Sequence, residues 1–182
     1  MGRGERGGLE RPALERFEQD MLPLMDDAYT LARYLTRDAH DAQDMVQEAY
    51  LRALRYFASY HGGDARARFL TIVRHCCYTL RRRRQAGPEL RPAAAAEEVA
   101  APPAYAADTR ALERDRAESV SRALGALAPE FREVLVLRDV QGLPYREIAR
   151  VVGVPIGTVM SRLARARRRV QDSLGLASRE AS

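Results

Sequence analysis

The chain has no lysine, no tryptophan, a single adjacent pair of cysteines and no long hydrophobic run. Each absence removes something. No run approaches the ~18 to 20 apolar residues of a membrane span, and the polar, charged N-terminus does not read as a secretory signal, so no membrane insertion is expected. Cys76 and Cys77 are neighbours in sequence. A vicinal pair makes a poor structural disulfide, which predicts two free thiols in a reducing cytoplasm, packed in the interior rather than sensing oxidants. His40, His61 and His75 stand in separate contexts. They have no metal-ligand spacing, and no Ser/His/Asp set, paired carboxylate site or phosphate-cradling glycine loop is visible. An enzyme is therefore not expected, and neither a metal nor a cofactor. Strand-period alternation is missing too, which leaves helices.

What is present is enough apolar material for a real core, 46% of 182 residues, which argues against wholesale disorder. All 30 basic residues are arginine, against 25 acidic ones, for a formal charge of +5 and a sequence pI of about 9.6. A codon-biased genome accounts for most of the lysine-free composition. Even so, arginine supplies the planar fork that suits phosphates and guanine edges. With so modest an excess, where the arginines cluster matters more than their sum.

Along the chain, residues 1–12 read as a disordered leader, rich in Gly and Arg. Leu14, Phe17, Met21, Leu24, Ala28, Leu31 and Leu35 recur at helical spacing, with Pro23 placed to kink or start the helix. Asp38 or Asp41 is placed to cap a second helix, striped by Ala42, Met45, Val46, Ala49 and Ala53, and a third runs from about Arg66 to Arg84. The Ala- and Pro-rich stretch 86–112 reads as a flexible linker. Helical pattern then returns, with Pro129 in a first turn, Gly142 at a helix end and Gly153 in a sharp turn. Two small all-α domains are predicted, at 13–85 and 113–175, joined by the linker and followed by a tail at 176–182.

The segment "GTVMSRLARARRRV", residues 157–170, decides the class of function. At about 100° per residue, Val159, Leu163, Ala166 and Val170 share a narrow arc that must pack on the domain. Gly157, Ser161, Ala164, Arg165 and Arg168 fall opposite, with Arg162 and Arg169 on one shoulder and Met160 and Arg167 on the other. A short helix, a Gly turn and a second helix make a helix-turn-helix, whose second helix enters the major groove. Small residues beside outward arginines suit close approach to a groove, while shoulder arginines suit the phosphate walls.

The stretch "ALAPEFREVLVLRDVQGLPYREIARVVGVPIGTVMSRLARARRRV" closely resembles region 4 of bacterial extracytoplasmic-function sigma factors, group 4 of the sigma-70-type family. "DAHDAQDMVQEAYLRALRYF" resembles the core of their region 2. The resemblance implies a chain that binds core RNA polymerase at its β′ coiled coil and β flap and directs it to particular promoters. Asp41, Asp44, Gln47 and Glu48 match the acidic polymerase-binding helix. Met160, Ser161, Ala164 and Arg165 match base-facing positions at the −35 element. Thr158, Arg162 and Arg167 match phosphate contacts or fold supports, and Arg168 lies on the same outer face. For the −10 element, the loop at 59–67 with Phe57, Tyr60 and His61 is expected to capture an unstacked base. Arg68 and His75 stand in the helix that follows this loop, and downstream Arg74 and the run Arg81 to Arg84 are expected along the promoter backbone.

The family usually carries a Trp where Arg68 stands and an Asn where His75 stands. The expectation is that melting persists with altered base preference. An anti-sigma factor is implied as a partner, and the free chain is expected to be a monomer. The alternatives are a degenerate homologue that binds polymerase without opening promoters, and a stand-alone helix-turn-helix regulator, although no dimer element is apparent.

Overall fold

A computed structural model describes residues 11–57, 64–86 and 118–180, with side chains as far as residue 175. The first helix, α1 (Arg11–Met21), buries Phe17 and Met21. Pro23, which lacks an amide proton, then sits in a 3-10 turn at Leu22–Leu24. The chain continues as α2 (Met25–Thr36), so the single sequence stripe becomes two helices with a break at the proline. Asp38 caps α3 (Ala39–Tyr56): its carboxylate accepts the Asp41 amide at 2.8 Å. That bond holds the Asp38 carboxyl below its ordinary range.

The buried face of α3 is Ala42, Val46, Ala49 and Ala53, small residues that let α2 and α4 (Ala65–Ala86) approach closely. Asp64 caps α4 through the Ala67 amide at 2.9 Å. Phe69, Leu70 and Val73 fill the space between the three helices. Full burial of each such side chain stabilises by about 1.5–3 kcal/mol. Phe57, expected to help capture a base, instead stands edge-on to Phe17 in this core, 5.2 Å between ring centres.

The second half begins with α5, helical over 118–126. Its last carbonyls are capped by the buried Arg132, which donates to Leu124, Gly125 and Leu127. Burial pulls the Arg132 guanidinium down to about 10, with Arg37 and Arg81 adding repulsion. Pro129 opens α6 (Pro129–Leu135), which runs on as a π-helical turn over Val136–Val140. Gly142 then turns the chain at φ +71. Gly153, also at φ +71, ends α7 (Tyr145–Val152) and leads to α8 (Ile156–Glu180). A Cβ at Gly153 would meet nothing within 4 Å, so glycine is required there by the backbone angle rather than by space. No strand occurs among the described residues.

Sequence reasoning treats the halves as separate bodies, but here they share one continuous core. Helix α4 lies against α7, and α2 against α6. Polar contacts stitch the seam. Arg66 bonds both Asp27 (2.7 Å) and the Gln141 carbonyl (2.8 Å), the Gln141 amide donates to the Asp27 carbonyl, and Arg132 reaches the Tyr34 carbonyl.

Candidate nucleic-acid and polymerase interface

Helix α8 is oriented by its own buried edge. Val159, Leu163 and Ala166 are buried against Ile148 and Val151 of α7 and the apolar run of α6. Tyr145 packs half-buried beside them, under the Arg138 guanidinium. The Pro155 carbonyl takes the Thr158 and Val159 amides and starts the helix. Gly157, Met160, Ser161, Ala164, Arg165 and Arg168 face solvent, and the Ser161 hydroxyl donates to the Thr158 carbonyl at 3.0 Å.

The arginines of α8 then sort by partner. Arg167 forms a two-pronged pair with Asp139, at 2.5 and 3.0 Å, which holds its guanidinium above the ordinary range. Arg169 lies over the Phe131 ring, 4.6 Å from its centre. Arg162 turns inward, 3.8 Å from Glu133. Arg165 and Arg168 have no partner among the described residues, so their charge is presented outward.

On the other half, Asp44 and Gln47 are exposed along α3. Asp41 and Glu48, expected in the same surface, are already engaged: Asp41 by both prongs of Arg84, Glu48 by Arg52 at 2.7 Å. A groove of about 360 Å³ opens between α3 and α4, lined by Asp44, Met45, Glu48, Leu51, Arg52 and Leu80. Leu51 is 53% exposed at its edge, an apolar contact point flanked by acids.

Arg68 and His75 lie seven residues apart on the solvent side of α4, while Phe69 points inward and packs on Tyr50, ring centres 4.6 Å apart. Tyr60 and His61 lie outside the described residues. Arg74 corrects an expectation. It points not toward a DNA backbone but into the seam, where it binds Glu133 at 2.7 and 3.2 Å. Arg84, paired with Asp41, is likewise turned away from the expected basic track. Cys76 and Cys77 are buried and unbridged, and burial pushes the Cys77 thiol up to about 12.

Residues 117–170 match the family described as "Sigma-70, region 4", and residues 23–87 match "Sigma-70 region 2". The chain is 31% identical over 173 residues to the ECF RNA polymerase sigma factor SigE of Mycolicibacterium smegmatis, covering 94% of this chain and 66% of that protein. It is 37% identical over 148 residues to SigM of Mycobacterium tuberculosis, covering 81% of this chain and 71% of that one. The chain belongs to the extracytoplasmic-function sigma factors. This family directs promoter-specific transcription with RNA polymerase. Among solved structures, the sigma factor RpoE, in complex with the anti-sigma factor NepR from Bartonella quintana, has 28% identity and a TM-score of 0.72, covering 88% of this chain and 98% of that one.

Sequence reasoning missed the polar seam of this sigma factor. Glu133 is wholly buried and is met by Arg74, the Tyr78 hydroxyl at 3.0 Å, and Arg162. One signal for it was available: "FREVLVL" sets a carboxylate inside an otherwise apolar stripe. A buried carboxylate requires a cation. Arg150 with Asp64, at 2.9 Å, is a second cross-half pair, and nothing in local sequence marks it. Among the described residues no cluster of His, Cys, Asp or Glu suits a metal ion, and no helix is long and apolar enough to cross a membrane.

Proposed function

We propose that region 2 (13–85) and region 4 (113–175) of this sigma factor divide the work of promoter recognition through the surfaces just described. Region 4 reads the −35 element with the outer face of α8. Met160, Ser161 and Ala164 lie against base edges, Arg165 grips a guanine, and Arg168 takes a phosphate. Of the other expected contacts, Thr158 is half-buried, Arg162 turns inward to 3.8 Å from Glu133, and Arg167 is held by Asp139. Those three act as fold supports.

Region 2 docks on the β′ coiled coil of core polymerase through Asp44, Gln47 and the adjoining α3–α4 groove. Asp41 and Glu48 shape that surface from within their own ion pairs. Region 4 contacts the β flap. Arg68 and His75, with Tyr60 and His61, meet the melted −10 strand. An anti-sigma factor is a further partner, the free chain is a monomer, and the protein acts in the cytoplasm, where core polymerase is found.

The observation that carries this reading is the outward face of α8, small residues beside two arginines with no partner among the described residues, on a helix whose other edge is buried. Run-off transcription with purified core polymerase on a genomic fragment library tests it. Discrete start sites that share an upstream sequence are expected. A second reading, a homologue that binds polymerase but does not open promoters, draws on one observation. Arg68 and His75 replace the usual Trp and Asn on the exposed side of α4, and core association without transcripts would favour it.

A further inference from the structure

Glu133 stands where the two halves meet, and its environment is unusual. The carboxylate is fully buried, and cations from both halves reach it. Arg74, on region 2 helix α4, makes two hydrogen bonds at 2.7 and 3.2 Å, and Tyr78 of the same helix adds a third at 3.0 Å. Arg162, on the recognition helix itself, waits at 3.8 Å, close enough to attract and too far to bond. Helices α4 and α8 therefore converge on a single carboxylate. The −10 and −35 elements lie roughly 25 base pairs apart, about 85 Å of duplex at 3.4 Å per step. In the packed arrangement the chain cannot read both elements, so α4 must leave region 4 before it can act on a promoter.

Separation would strip Glu133 of Arg74 and Tyr78 and open its α4 side to water, leaving the carboxylate with Arg162, which travels with it in region 4. We infer that Glu133 is a shared counter-ion handed from Arg74 and Tyr78 in the packed chain to Arg162 in the separated chain, so that parting of the domains also fixes the recognition helix. Arg162 is then a positioning residue for α8, three residues before Arg165 and about 60° around the helix from it, toward the buried edge. Arg66 with Gln141, and Arg150 with Asp64, are further polar contacts of the same seam. The inference rests on the sigma-factor reading for its biological use, though not for its physical test.

The experiment is small-angle scattering on the full chain, paired with titration of each variant into core polymerase and read by run-off transcription. Arg74→Gln leaves Arg162 as the sole cation at Glu133. It should raise the radius of gyration with helical content unchanged, and should lower the half-saturating concentration by roughly threefold to tenfold as the competent fraction grows. Tyr78→Phe, which removes only the hydroxyl, should shift both in the same direction by less. Arg74→Lys, keeping the charge and losing the fork, should fall between parent and Arg74→Gln. Arg162→Gln should do the reverse, holding the chain at or below the parent radius and raising the half-saturating concentration.

Unchanged scattering from both Arg74→Gln and Tyr78→Phe would overturn the hand-over, as would expansion of Arg162→Gln equal to that of Arg74→Gln. Opposite shifts without any transcript from the parent would leave the hand-over standing and sink the sigma-factor reading instead.

Discussion

Salt dependence of duplex binding should separate the arginines of α8 according to what they touch. Arg165 and Arg168 face solvent with no partner among the described residues, whereas Arg167 is held by Asp139 at 2.5 and 3.0 Å. A cation that neutralises a phosphate releases condensed counterions and contributes about 0.9 to the slope of log K against log salt. Replacing Arg168 by Ala, or Arg165 by Ala, should therefore flatten the slope by about 0.9 each. Replacing Arg167 should flatten it far less, because its charge is already balanced within the chain and moving to a phosphate would strand Asp139. Sequence-independent binding is enough for the measurement. Fluorescence anisotropy of a labelled duplex of arbitrary sequence, titrated from about 50 to 200 mM salt, spans the range in which the effect is large. Equal flattening by Arg167→Ala and Arg168→Ala would refute the assignment of roles by partner.

Two further outcomes follow from the region 2 bundle. Asp38→Ala removes the cap of α3 and should cost about 1 kcal/mol, roughly 2–4 °C in Tm by thermal denaturation. Because the folded carboxyl of Asp38 is held below its unfolded value of 3.8, its contribution is complete above that value and is lost as pH falls toward the lowered one. The gap between parent and variant should close in acid, and a gap that widened there would contradict the cap. Cys76 and Cys77 are buried, with the Cys77 thiol pushed up to about 12. Iodoacetamide at neutral pH should therefore leave both intact in the native chain and modify both in denaturant, as mass spectrometry would record. Rapid native modification would mean that α4 does not pack as described.

Local chemistry made much of the fold legible. Asp38, Pro129, Gly142 and Gly153 stand at the helix ends where capping and backbone rules place them, and the buried edge of α8 is the arc that its periodicity marks out. What was not legible is what depends on distant parts of the chain. Arg74 and Glu133 are 59 residues apart, and nothing local distinguishes an arginine bound for a phosphate from one bound for a buried carboxylate. Phe57 has the same ambiguity: an aromatic at the end of a helix suits a base or a core, and Phe17, 40 positions away, settles it for the core. Pairing of Arg84 with Asp41 and of Arg167 with Asp139 likewise withdraws charges that a helical wheel counts as available. Fewer arginines therefore stand without a carboxylate partner among the described residues than a helical wheel counts.

The most direct measurement is run-off transcription with core polymerase in the presence and absence of the chain, with association followed by co-elution from the same reaction. New discrete start sites that appear only with the chain, and share an upstream element whose use is lost on Arg165→Ala, are the predicted result. Co-elution with polymerase but no new start site on any fragment would contradict the claim that this sigma factor directs initiation.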